Sequence, residues 1–364
     1  MSAPTLTVRA IRARAVEVPM RHVLGTSQAA VRAAPLVLVD LETEQGVTGR
    51  AYLFCYVPAA AAGIASILAE IERVTRGERV APLDAWKKLT RRFTLIGVQG
   101  IVRMAMSAFD VACWDALAIA HGQPLAVLLG SAPRPVRAYN SNGLGLMDLG
   151  PLADEAAELL EGGFEALKLR LGYATLAGDV AAVRAVRERV GPSVAIMVDY
   201  NQALGVAEAL ERGRALDAEG VAWIEEPIRH DDYAGAAKLA ASLATPIQIG
   251  ENFSLPYAME QALEAGACDL VMPDLERIGG VTGWQRAAAL AAARGIEMST
   301  HLFPEVSAQL MCATPTAHWL EYVDWAAPIL AEPLRVVDGM AIPSERPGCG
   351  LAWDEDAVAR YRMA

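Results

Sequence analysis

Asp199 in AIMVDYNQ, Glu225 in VAWIEEP and Glu251 in TPIQIGEN each close a short apolar run. They fall 26 residues apart, at positions 199, 225 and 251. The series continues 23 residues on, at Asp274 in DLVMPDLER, and 27 further, at His301 in IEMSTHLF. A step of that length is one strand plus one helix, so the same place in successive units carries an acid or a histidine. Three carboxylates aimed at one volume repel, and some protonate, unless a cation sits among them. An all-oxygen donor set with room for water suits Mg2+, with Mn2+ as its substitute, and no cysteine or histidine pair competes for a softer metal.

Lys168 and Arg170, in ALKLRLG, lie on the strand before Asp199. Residues two apart on a strand share a face, so both are expected to point into the same mouth, over the acids. There Lys168 can polarise a substrate carboxylate or move a proton. His301 is one of five histidines. Asp274, one strand earlier, is placed to bond the far imidazole nitrogen, which fixes the tautomer and raises basicity. Glu321, closing TAHWLEYV, can meet a substrate carboxylate from the other side.

The elements that position these residues follow from periodicity. Residues 4–20 alternate as a strand, and APLVLVDLETEQGVTGRAYLF reads as a hairpin turning at Glu44-Gln45-Gly46. Residues 21–33, RHVLGTSQAAVRA, are polar and irregular and read as a lid loop. Apolar residues at three- and four-residue spacing make residues 58–122 helical. From Val136 onward short strands alternate with single helices, the pattern of parallel strands joined by right-handed crossovers. No GxGxxG follows the first of them, against a dinucleotide site. The expected fold is α/β: a (β/α)7–8 TIM-like barrel with an N-terminal α+β capping domain. Its divisions are a cap over 1–133, the barrel with the active site over 134–328, and a segment over 329–364 that packs back on the cap. Strand C-termini of such a barrel converge on one face, which makes acids distant in sequence neighbours in space.

The chain has 364 residues, 54% hydrophobic and 21% charged, with a formal net charge of −11. That balance argues against nucleic acid and anionic membrane surfaces as partners. Cys55, Cys113, Cys268, Cys312 and Cys349 are scattered and odd in number, as expected of reduced thiols. The opening residues lack an apolar signal-peptide core, and no uncharged apolar run reaches membrane-span length. A cytoplasmic location is expected.

The motifs KLR, VDYNQ, WIEEP, GEN, PDLERIGGVTGW, STHLF and ATPTAHWLE resemble the enolase superfamily, mandelate racemase subgroup, over the whole chain. The resemblance implies roles residue by residue. Asp199, Glu225 and Glu251 hold Mg2+, and Asn201 contacts substrate beside it. Lys168 neutralises the carboxylate of a small-molecule substrate, with Ser141 nearby. His301, paired with Asp274, is the base on one face of the α-carbon. A protonated Glu321 donates to the developing enolate. Phe54, Tyr56, Leu302 and Val323 fall at aryl-pocket positions, and a homo-oligomer is implied. The activity implied is racemisation or epimerisation of a 2-hydroxy carboxylate through its enolate.

One departure matters. The subgroup's second, opposite-face lysine is Arg170 here, and arginine does not give up its proton readily. A single base at His301 points instead to dehydration of a hydroxy or sugar acid. The polar lid residues Arg21, His22, Gln28 and Arg32 suggest a distal polar or anionic group on the substrate. A barrel that binds metal and ligand without turnover is the alternative of another class.

Overall fold

A computed structural model describes residues 5–26 and 30–363. The chain opens with an antiparallel sheet of β1 (Val8–Gly25), β2 (Ala30–Thr43) and β3 (Thr48–Phe54) in that order. Val18 pairs with Ala34 across the first pair, and Leu36 with Phe54 across the second. β2 is buried continuously from Ala34 to Leu41, because it is the central strand and helices cover the sheet. Those helices are α1 (Pro58–Thr75), α2 (Pro82–Phe93), α3 (Gly100–Ala120) and the short α4 (Leu125–Leu128). α3 is apolar nearly all round and buried nearly all round. It lies flush on β3, where a side chain at Gly49 would collide with the Ala112 carbonyl.

The segment read as a lid loop is a hairpin. β1 runs on to Gly25 and β2 resumes at Ala30, with Leu24 opposite Val31 and Gly25 opposite Ala30. Two causes hid it. The register shifts between Pro19 and Leu24, and residues 22–26 are all only half-buried, so no alternation of buried and exposed positions marks the strand. Gln28 lies outside the described residues.

The barrel follows. Its strands are β4 (Val136–Asn140), β5 (Ala166–Arg170), β6 (Ala195–Asp199), β7 (Ile224–Glu225), β8 (Ile247–Ile249), β9 (Leu270–Val271) and β10 (Leu320–Tyr322). β4 to β9 pair in sequence order, all parallel. Residues 298–301 supply the next position, through parallel bridges Val271–Met298 and Asp274–His301. β10 then pairs in parallel with β4, Glu321 beside Tyr139, and closes the ring. The crossovers are α5 (Leu149–Glu158), α6 (Leu176–Val190), α7 (Val206–Leu216), α8 (Tyr233–Ser242), α9 (Leu255–Glu264), α10 (Leu275–Ile278) with α11 (Gly280–Arg294), and α12 (Pro304–Cys312). β10 is followed only by a single 3-10 turn, Ala327–Ile329, so the expected fold class takes its (β/α)7β form. Tyr139, Met197, Trp223, Leu270 and Trp319 plug the barrel below the mouth.

The hairpin β11 (Arg335–Val337) and β12 (Met340–Ile342) adds an antiparallel edge to the start of β4. The chain then crosses the cap. Val16 bridges Arg362, Trp353 Nε1 donates to Asp40 Oδ1 at 2.7 Å, and α13 (Glu355–Arg360) follows. A buried polar seam joins cap to barrel: Asp110 of α3 accepts from Thr282 N (2.9 Å) and Thr282 Oγ1 (2.6 Å) of α11. Among the described residues no helix is long and apolar enough to cross a membrane.

Candidate active site

Parallel strands bring their C-terminal ends to one rim, and the acids follow. Asp199 ends β6, Glu225 ends β7, and Glu251 lies two residues past β8. Each offers one oxygen, all within 4.8 Å of one another. Asp199 and Glu225 are buried. Lys168 Nζ stands among them, 2.8 Å from Glu225 Oε1, 3.4 Å from Asp199 Oδ2 and 2.7 Å from Glu321 Oε1. Three of four clustered acids thus share one ammonium, a negative excess that a dry site does not tolerate. Burial, ahead of the neighbouring acids, pushes Glu225 up to about 8. A divalent cation resolves that excess. The donor set also fits one: Asn201, at φ +45°, bonds both Asp199 oxygens through its N (2.7 Å) and Nδ2 (3.0 Å), and its own Oδ1 is buried with no partner. Trp223 Nε1 holds the second oxygen of Glu225 at 3.2 Å.

His301 Nδ1 pairs with Asp274 Oδ2 at 2.6 Å, while Nε2 faces Glu251 Oε2 at 3.3 Å. Asp274 also caps α10, its Oδ1 accepting from Glu276 N (2.7 Å) and Arg277 N (3.1 Å). One carboxylate therefore orients the imidazole and anchors the next helix. Burial opposes a charge on His301, yet Glu251, Glu321 and Asp274 together raise it to about 9. Past His301 the backbone is left-handed at Leu302 (φ +53°) and Phe303 (φ +50°), a costly conformation for residues with side chains. The turn aims Leu302 N at Glu321 Oε2, 2.8 Å away.

Two expectations change. Glu321 accepts on both oxygens, from Lys168 Nζ, Ser141 Oγ (2.7 Å) and Leu302 N. Burial would raise it, but Lys168 and then His301 hold it at about 2, so it is ionised where the resemblance implied a protonated donor. Arg170 does not lie over the acids. Its NH1 donates to Gly143 O (2.7 Å) and its NH2 to Ser141 O (3.0 Å) and Oγ (3.2 Å), both on the loop after β4. Lys168 already occupies the space among the carboxylates, and the fork of Arg170 spans the two carbonyls of the loop instead.

The rings of Phe54 and Tyr56 lie 4.4 Å apart, tilted by 51°, and Phe54 meets Trp325 at 5.1 Å. Leu302 and Val323 are buried on neighbouring strand ends. The lid's polar side chains turn to α5: Arg21 pairs with Glu158, and His22 lies 3.7 Å from Glu155 and 3.8 Å from Glu158. Arg32 is exposed. Sequence reasoning passed over Trp223, Asn252, Glu276 and Arg277. All four sit inside the quoted motifs WIEEP, GEN and PDLERIGGVTGW, but nothing in their spacing singles them out.

Residues 9–130 match the mandelate racemase/muconate lactonizing enzyme N-terminal domain, and residues 151–357 match the enolase C-terminal domain-like family. The chain belongs to the mandelate racemase/muconate lactonizing enzyme family of the enolase superfamily. Within this family it is 32% identical over 337 residues to the L-talarate/galactarate dehydratase of Salmonella typhimurium, covering 92% of this chain and 84% of the relative. An enolase of alpha pretobacterium bal199, solved with bound magnesium, is 48% identical with TM-score 0.96, covering 98% of this chain and 100% of its own. A Bradyrhizobium enolase complexed with magnesium and mandelic acid is 41% identical with TM-score 0.95, covering both chains fully (100% each).

Proposed function

We propose that this chain is a Mg2+-dependent dehydratase that removes the α-proton of a 2-hydroxy carboxylate with His301 as its single base. The observation that carries this reading is Arg170, whose guanidinium is tied to two backbone carbonyls and stands where the resemblance implies the opposite-face lysine base. The dehydratase among the relatives supports it.

The α-proton beside a carboxylate is very weakly acidic, since its removal makes a dianion. When bound by Asp199, Glu225 and Glu251, Mg2+ supplies positive charge next to that dianion. Lys168 adds a fixed ammonium on the same side, held by Glu321 and Glu225. In its neutral form His301 takes the α-proton on Nε2, and Asp274 stabilises the imidazolium that results. The same proton then goes to the β-hydroxyl as its C–O bond breaks. Water leaves, and the enol tautomerises to a 2-keto acid.

Racemisation is the second reading, favoured by the aromatic wall of Phe54, Tyr56 and Trp325 and by the mandelic acid complex of the Bradyrhizobium relative. Incubating a panel of hydroxy acids in D2O separates the two. A semicarbazide-reactive 2-keto acid is the expected result. Deuterium at the α-carbon of both enantiomers, with no keto acid, would establish a racemase instead. Neither signal from any acid would return the protein to a binding role.

A further inference from the structure

Glu276 is a buried acid that the mechanism leaves unused, and it sits where the cap meets the base. Its own N donates to Asp274 Oδ1 at 2.7 Å, and Asp274 Oδ2 pairs with His301 Nδ1 at 2.6 Å. Its side chain turns to the cap, where Oε2 accepts from Phe54 N at 3.2 Å. One residue therefore holds β3 with its carboxyl and the His301–Asp274 pair with its amide.

The second oxygen is not served by the protein. Glu276 is 1% exposed, its Oε1 is buried without a partner, and among the described residues no cation lies within 4.0 Å of it. Ser107 of α3, equally buried, has an Oγ in the same condition. Both residues line one cavity of about 10 Å3, with Tyr52, Leu53, Leu275 and Phe303 among its other walls. That is about the room one water requires, and two orphaned polar groups in one cavity are what a buried water joins. The outer edge of β3 adds a third group. Arg50 N and Phe54 N leave that edge for Asp115 and Glu276, and Tyr52 between them faces the same way by alternation.

Burial, ahead of the Asp274 charge, raises Glu276 well above the usual carboxylate range, against the pull of Arg277 and His301. A carboxyl that keeps its proton accepts on one oxygen and donates from the other, which suits Phe54 N on one side and a water on the other. The seam around the cavity is pinned. Arg103, one turn before Ser107 on α3, donates to Ser254 Oγ, and Arg277 donates to Glu251 O (3.0 Å) and Asn252 Oδ1 (3.1 Å), so α3 and α10 grip the same loop. Three residues past Ser107, Asp110 bonds Thr282. Neither helix can slide to close the gap.

We infer that Glu276 is a positioning residue for the His301–Asp274 pair, and that one buried water joins its Oε1 to Ser107 Oγ, so that docking of the cap sets the aim of the base. This rests on the reading of His301 as the base.

The test uses the full, Mg2+-loaded chain. The downfield proton resonance of His301 Nδ1–H, assigned by its loss in H301N, reports the pair without substrate. E276M, similar in size, should move that resonance upfield. E276Q, which keeps an acceptor for Phe54 N and a donor for the water, should leave it in place. In D2O exchange assays with mandelate, galactonate and galactarate, E276M should lower kcat by about tenfold to a hundredfold with KM held within about threefold, and E276Q should restore it. A crystal structure should show one density feature within hydrogen-bond distance of both Ser107 Oγ and Glu276 Oε1. An empty cavity, with Ser107 Oγ turned to the Arg103 carbonyl, would overturn the water. A resonance unmoved in E276M, despite a lower melting temperature, would make Glu276 an anchor of the cap only and overturn the positioning. If E276M does not fold, E276D, one methylene short of Phe54 N, puts the same question. A moved resonance in a chain that exchanges no acid would sink the dehydration chemistry and leave the positioning standing; exchange with an unmoved resonance would do the reverse.

Discussion

Lys168 and Arg170 sit two residues apart on β5 and do different work. The ammonium is a point charge and settles among three carboxylates. The guanidinium is a flat fork and settles on two carbonyls. Their shared face was legible from strand alternation. What each would touch was not, because it depended on the loop after β4. His301 and Asp274 were legible as a pair, since successive strand ends are neighbours in a barrel. The Asp274 contact predicts the behaviour of a substitution. H301N should lower α-proton exchange by about a hundredfold to ten-thousandfold, the usual worth of a general base. Mg2+ binding, measured by calorimetry without substrate, should persist. Full exchange in H301N would move the base elsewhere.

At the level of elements, the lid is a hairpin docked by backbone on backbone. Leu146 N donates to Gly25 O at 3.3 Å. A Cβ on Gly145 would meet Gly25 O at 2.6 Å and Gly25 Cα at 2.7 Å. Glu155 of α5 serves both partners, accepting from Leu144 N at 2.5 Å and facing His22. G145A should therefore push the hairpin off at a cost of about 1–3 kcal/mol, typical of overpacking. Limited proteolysis at residues 21–33 should accelerate and KM should rise. G150A is the control, because its Cβ meets nothing within 4 Å. Identical proteolysis of both variants would deny the docking contact. The hairpin was read as a loop because pattern methods rest on burial, and residues 22–26, all half-buried, show no alternation.

The whole molecule depends on the polar seam between cap and barrel. Burial lifts Asp110 to about 7, even though Thr282 donates to both oxygens. An unfolded aspartate titrates near about 3.9. The folded state therefore holds a proton that the unfolded chain has lost. Asp110's contribution is present in full below about pH 4 and is lost as pH rises through about 7. Asp115, lifted by burial to about 6, acts with the same sign. D110N should flatten the fall in melting temperature between about pH 5 and pH 8, a difference on the order of a few kcal/mol at most. Thermal melts across that range check it, and an unchanged slope would assign the pH dependence elsewhere.

The sequence by itself determined the repeat. A step of one strand and one helix, carrying an acid each time, dictates a barrel, its active face and a divalent cation, because backbone geometry alone sends strand ends to one rim. Tertiary structure decided everything that depends on a side chain meeting another segment. It turned Arg170 toward carbonyls and kept Glu321 ionised beside Lys168. It faced Arg21 and His22 toward α5 and gathered Arg103 and Arg277 from 174 residues apart in sequence (277 less 103) onto one loop. The reason is physical: spacing encodes position along an element, whereas the partner of a buried charge is set by whatever packing leaves within reach of it.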